Sequence, residues 1–192
     1  MNQDISKLIS VLEKIHALAD KEKEFFENSF KPIQLKKNEF LLQSTAVCNK
    51  VCFLCQGLVR YFVFKNNEES TFEFTKEGEF VADYHSFISE KPSNQNIQAL
   101  EDCELLCIDY ADLQNLYQMS PSANYIGRII MEHRFIVMVD QLTITRQFDA
   151  QQRYEFFLEQ YRDLVQRIPQ YYIASYVGVK PQSLSRIRKR IC

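Results

Sequence analysis

The stretch IPQYYIASYVGVKPQSLSRIRK, residues 168–189, decides how the rest of the chain is read. Ile173 and Val177 recur at helical spacing, and Ala174 is small where a second helix must approach closely. Gly178 follows as the residue that most readily takes the left-handed conformation closing a helix, and Val179 plugs the corner. Pro181 then opens a second helix at a position where its missing N–H is not needed, with Leu184, Ile187 and Ile191 turned inward. Two short helices, a glycine at the turn and apolar plugs are the grammar of a helix-turn-helix.

The outer face of the second helix carries the chemistry. Gln182, Arg186 and Lys189 fall at i, i+4 and i+7 and form one outward stripe. In a DNA major groove, Gln pairs bidentately with adenine and Arg with guanine. Lys180, Ser183, Ser185, Arg188 and Arg190 surround the stripe and suit phosphate contacts, which position a protein without specifying sequence. Lys180 lacks the side-chain acceptor that a cap residue normally offers, which a phosphate contact would explain. The competing reading is a structural two-helix corner with a solvated basic face.

Charge is distributed to match. Residues 1–146 hold 15 Lys+Arg against 21 Asp+Glu, whereas residues 147–192 hold 8 against 4, and no acid follows Lys180. A basic end on an acidic body points to an end that meets a polyanion.

Working backwards, Ser120-Pro121 is a helix start, and no proline interrupts the chain from there to Arg146. Ile126, Ile129, Ile130, Phe135, Ile136, Val137, Met138, Val139, Leu142 and Ile144 cover more than one face of that helix. Such a helix is buried on two sides, and the simplest second partner is the same helix of another copy. Burial between two domains of one chain is the alternative, but the residues left over are few for that task.

Ahead of the long helix the pattern is strand-like. GLVRYFVFKNNEESTFEFTKEGEF reads as strands Leu58–Lys65 and Ser70–Thr75 around a turn at Asn66-Asn67, and Asn96–Leu100 and Glu104–Ile108 supply more. Turns at Gly57 and Gly78 complete the pattern of a small antiparallel roll or jelly roll. An amphipathic helix over 5–19 opens the chain, and Asp20 is the expected cap of a second. The expected class is α+β: N-terminal helices and an antiparallel roll over 1–119, a long dimerisation helix over 120–146, and a helix-turn-helix domain over 147–192.

Six cysteines (Cys48, Cys52, Cys55, Cys103, Cys107 and Cys192) raise the question of metal. Cys52 and Cys55 lie inside VCFLC, and Cys103 and Cys107 inside CELLCID, both strand-like. Residues 52 and 55 of a strand point to opposite faces, so buried free thiols in a reducing compartment are expected, with no metal and no other cofactor.

These residues resemble the Crp/Fnr superfamily of transcription regulators. QYYIASYVGV with SLSRIRK, together with Asn96-Ile97-Gln98-Ala99-Leu100-Glu101-Asp102, are similar to the branch common in Bacteroidetes. The resemblance covers nearly the whole chain and implies a cyclic-nucleotide-binding-type β-roll, a dimerisation helix and a DNA-binding domain. It also implies partners: double-stranded DNA, a second copy, a small-molecule effector of unknown identity, and RNA polymerase if the protein activates. The effector pocket it implies lies at Ala82, Asp83, Tyr84, Ser93, Asn94 and Met138. Cyclic-AMP-binding members carry Gly-Glu and then Arg-Ser/Thr, whereas the corresponding pairs here are Ala82-Asp83 and Ser93-Asn94. Their Thr-Ser pair on the long helix is Met138-Val139. Without the arginine a buried cyclic phosphate is unpaired, so poor binding of cyclic AMP is expected, with the pocket open to another ligand or filled by Tyr84 and Phe87. The oxygen sensors' N-terminal cysteine cluster has no counterpart in residues 1–47, and the wing between Arg162 and Pro169 is short or lost.

Other classes have less behind them. A small-molecule sensor whose terminal helices bind a protein is the main alternative. An enzyme of cupin type needs clustered ligands, but His16, His85 and His133 fall on a helix, a loop and the long helix. No Gly-rich phosphate loop or nucleophile elbow is present, so no catalytic residues are assigned. The N-terminus lacks a signal-peptide h-region and no apolar run spans a bilayer, so a cytoplasmic protein without a membrane partner is expected.

Overall fold

The computed structural model describes residues 3–191. In chain order it comprises α1 (Gln3–Glu13), α2 (Asp20–Ser29), β1 (Lys31–Leu35), β2 (Phe40–Leu42), β3 (Lys50–Gln56), β4 (Leu58–Lys65), β5 (Glu68–Lys76), β6 (Phe80–Val81), α3 (Tyr84–Ser89), β7 (Asn96–Ala99), β8 (Cys103–Asp109), α4 (Tyr110–Met119), α5 (Pro121–Gln147), α6 (Ala150–Tyr161), a 3-10 turn (Arg162–Leu164), α7 (Gln170–Val177) and α8 (Pro181–Ile191). The strands form two four-stranded sheets, β1-β8-β3-β6 and β2-β7-β4-β5. Residues 3–61 and 74–132 make one compact unit; 62–73 and 133–191 make a second.

The first unit holds the roll. Phe53, Leu54, Leu58, Val59, Ile97 and Leu105 are buried in it. Asn66 and Asn67 both take positive φ (53° and 62°), the conformation of a two-residue hairpin turn that Asn tolerates, and so the expected strand pair forms around them. Gly57 has φ +103°, and a Cβ there would stand 2.7 Å from the Asp102 carbonyl, so only glycine fits.

Three expectations change. The opening helix ends at Glu13 rather than running to residue 19. The N–H groups of Ile15 and His16 both donate to the Leu12 carbonyl, and the chain leaves the axis to bury Leu18. Ala19, not Asp20, is the cap residue of α2; the Glu22 carboxylate accepts the Ala19 N–H at 3.0 Å and Asp20 begins the helix.

The third change concerns the thiols. Cys52 and Cys107 are not free: they stand directly opposite each other across β3 and β8 and form a disulfide. Opposition to an upstream neighbour depends on register between strands 55 residues apart, which spacing within one strand cannot reveal. Cys48, Cys55 and Cys103 are buried free thiols, and burial pushes Cys55 and Cys103 up to about 11.

In the second unit, Phe157 is fully buried among Tyr154, Tyr161 and Tyr176. The Tyr176 phenol is pushed up to about 12 by burial and then by the nearby Glu73 carboxylate. Ile173, Ala174, Val177 and Leu184 are buried, as their spacing requires. Between α6 and α7 the connection contains one 3-10 turn and no strand.

Candidate nucleic-acid interface and the enclosed polar cluster

The turn between α7 and α8 is built by its backbone. Gly178 sits at φ +76°, ψ 36°, and the Val179 N–H donates back to the Ala174 carbonyl at 2.9 Å. This bond pattern turns the chain sharply and satisfies the last carbonyls of α7. A further one is met from α6: Arg153 donates through Nε to the Val177 carbonyl (2.7 Å) and through Nη1 to the Phe148 carbonyl (2.6 Å). The cap of α6 is equally complete, with Asp149 accepting the Gln152 N–H and Gln152 accepting the Asp149 N–H, both at 2.9 Å.

At the start of α8 the Lys180 carbonyl accepts the N–H groups of Ser183 and Leu184 (2.9 and 3.1 Å). Leu184 and Ile187 face inward, whereas Lys180, Gln182, Ser185, Arg186, Lys189 and Arg190 are exposed and Ser183 and Arg188 are half-buried. The helix thus presents a cationic, hydrogen-bonding outer face over an apolar inner one. Among the described residues no ion pair neutralises Arg186, Arg188, Lys189 or Arg190.

On the second unit's part of α5, Phe135, Met138, Val139 and Leu142 are 42–62% exposed. They recur at intervals of three and four and form one apolar seam. Met138, one of the six residues of the expected pocket, belongs to this seam.

The other five lie in the first unit at the start of α3 and the loop that follows it. Asp83, 2% exposed, caps α3: Oδ1 accepts the Ser86 N–H at 3.2 Å, and Oδ2 accepts the Ser93 hydroxyl at 2.6 Å. Ser93 in turn accepts the Gln95 N–H at 3.0 Å, and its own N–H meets the Ala46 carbonyl. The Ser86 hydroxyl accepts the Cys48 N–H and donates to the Lys91 carbonyl. The Ala82 N–H is held by the Tyr61 hydroxyl at 3.1 Å. Asn94 is exposed and Tyr84 half-buried, the latter bonded to Tyr117 and packed on Phe87. Asp83 and Ser93 therefore bond to each other and to the backbone.

One buried polar group was not anticipated. Arg60, 1% exposed on β4, donates to the Gln98 side-chain oxygen through Nε (3.0 Å) and Nη2 (2.6 Å), and Gln98 reaches the Asn38 carbonyl. Its signal in the sequence is a lone charge inside the run Leu58–Phe64.

Residues 32–120 match the family model of the cyclic nucleotide-binding domain. The chain is similar in fold to FixK2 from Bradyrhizobium japonicum, with 14% identity over 84% of each chain and a TM-score of 0.73. It is similar also to the c-di-GMP responsive global regulator CLP from Xanthomonas campestris, with 18% identity, 90% of this chain and 91% of that one covered, and a TM-score of 0.72. A third likeness is to the catabolite activator protein of Thermus thermophilus, at 19% identity, 94% and 86% coverage and a TM-score of 0.60. These neighbours are regulators of Crp/Fnr type. No curated protein sequence matches the chain. No described helix is long and apolar enough to cross a membrane.

Proposed function

We propose that this chain, which shares the fold of Crp/Fnr-type regulators, is a homodimeric, cytoplasmic transcription regulator of the branch common in Bacteroidetes. In this reading residues 1–119 form a sensor, 120–146 a dimerisation helix and 147–192 a helix-turn-helix reader. The observation that carries it is the exposed cationic face of α8 on a buried apolar face. Gln182, Arg186 and Lys189 read base edges, and Lys180, Ser183, Ser185, Arg188 and Arg190 hold phosphates. The seam Phe135–Leu142 of α5 pairs with its copy, which presents two readers about 34 Å apart to a palindromic site. An activator of this design also meets RNA polymerase.

In this reading the sensor domain binds cyclic AMP poorly or not at all, and its pocket is open to another ligand or filled by its own side chains. Ser93 stands where the cyclic-AMP-binding members carry the arginine that pairs with the phosphate, and its hydroxyl is already committed to the Asp83 carboxylate. Selection of sites from a random duplex pool tests the reading: an inverted repeat is expected, with affinity falling steeply as salt rises. Recovery of no duplex, with a protein captured through α7 and α8 instead, overturns it in favour of a protein-binding sensor. A large thermal shift with millimolar cyclic AMP overturns the effector claim alone.

A further inference from the structure

Within the second unit, the β4–β5 hairpin is fastened to α7 through the Ser175 side chain. The Ser175 hydroxyl accepts the Thr71 N–H at 2.9 Å and donates to the Glu69 carbonyl at 2.8 Å. Residues 69 and 71 are two apart on β5, the edge of its sheet, so their backbone groups point the same way. The hydroxyl fills the slot that a further strand would occupy. Two residues on, Glu73, itself 5% exposed, accepts both terminal nitrogens of Arg134 on α5, at 2.6 and 3.0 Å. β5 is thus held through its edge backbone by α7 and through the Glu73 side chain by α5.

A serine inside a helix ordinarily turns back on its own preceding carbonyl or faces water. Here both hydrogen-bonding capacities of the hydroxyl go to the hairpin backbone. Tyr176, the next residue, packs on Phe157 and Tyr161, ring centres 5.4 and 5.8 Å apart. The three residues Gly178–Lys180 connect α7 to α8 in the tightly bonded turn already described, so the placement of α7 is passed to α8.

We propose that Ser175 is a positioning residue for DNA reading: its hydroxyl docks α7 on the β4–β5 hairpin and so holds α8 in the placement that enters the groove. This rests on the reading of α8 as a DNA reader. Loss of the latch lets α7 and α8 sample other placements, and affinity falls by the fraction of time the competent one is lost.

The test compares the full-length wild type, S175A and S175T on the duplex selected by the wild type, at one salt concentration. Alanine is the best helix former, so S175A preserves α7 while removing both bonds. S175A is expected to weaken binding about tenfold and to speed exchange of the Thr71 amide by a similar factor, while the melting transition stays cooperative. S175T, which keeps the hydroxyl, restores both. As a control, Q182A weakens binding with Thr71 exchange unchanged. The inference is overturned if S175A binds as tightly as wild type or tighter, or if binding falls without faster Thr71 exchange or without rescue by threonine. Failure of the wild type itself to hold any duplex overturns the underlying reading instead.

Discussion

The cluster around Asp83 and the outer face of α8 are both dense in polar side chains, and they treat them in opposite ways. In the first, Asp83, Ser86 and Ser93 are almost wholly buried, and their side chains meet one another or the backbone. In the second, four basic residues and a glutamine stand in solvent over a buried Leu184 and Ile187. A polar group removed from water must be bonded within the fold, whereas one kept in water can exchange its hydration for a partner. The first arrangement therefore contributes to folding, and the second is left available to a partner. The same contrast separates Cys52–Cys107, which cross-links the adjacent strands β3 and β8 inside the first unit, from the seam of α5, which leaves large apolar side chains exposed.

The largest test of this contrast is on the open side. Leu142→Asp puts a charge into both copies of the seam and removes about 3–6 kcal/mol of apolar burial from a dimer. Sedimentation velocity should then show a monomer with a near-normal melting temperature; a loss of folding instead would mean that the seam is internal. On the closed side, Cys107→Ser removes a cross-link enclosing a loop of 55 residues, worth about 4 kcal/mol in chain-entropy terms. Denaturant midpoints should fall accordingly, and reductant should do the same to the wild type. Asp83→Ala leaves the Ser93 hydroxyl and the Ser86 N–H without their acceptor and is expected to cost about 2–4 kcal/mol of stability. DNA affinity of the folded fraction should be unchanged, and a selective loss of binding with stability intact would break the comparison. Arg186→Ala reverses the pattern, with about 1–3 kcal/mol lost at one base position and the melting temperature preserved.

The smallest effect is electrostatic. The Glu22 carboxyl is held below its ordinary value of 4.5 by the Ser120 hydroxyl (2.6 Å), then by the Ala19 N–H and Ser122. A carboxyl with a lowered folded pKa adds stability that is fully present above its unfolded value and is lost as pH falls through the folded one. Glu22→Gln should thus be less stable than wild type at pH 7, and the gap should close as pH drops below about 4.5. A gap that widens in acid would show that the bond to Ser120 does not favour the ionised form.

Much of the architecture was legible because it depends on neighbours in sequence. Ser120-Pro121 starts α5, with the Ser120 hydroxyl accepting the Ala123 N–H at 3.0 Å. Asn66-Asn67 turns the hairpin, and Gly178 ends α7 with the left-handed φ that its position demands. The exposure of Gln182 and Arg186 follows from the same periodicity that buries Leu184 and Ile187. Less was legible where a residue's fate is set at long range. Asp83 and Ser93 were singled out by their place in a family pattern, but their bond to each other comes from a loop that folds back over the start of α3. The end of α1 at Glu13 has no breaker residue to announce it, and burial of Leu18 decides it. Arg60 sits in a strand that alternation alone would have left with a solvated face, yet it is enclosed and bonded to Gln98.

By itself, then, the sequence determined the start of α5, the glycine turn between α7 and α8, the Asn66-Asn67 hairpin, and which face of α8 would be wet. These are governed by backbone preferences and by side-chain spacing over a few residues. Only the tertiary structure decided which thiols would meet, how the acid at position 83 would be used, and that Ser175 would leave its own helix to bond a strand more than a hundred residues away. Each of those depends on register between distant segments. Register is fixed when the buried faces of separate segments are matched to one another, and the pattern of one segment read alone does not name its partner.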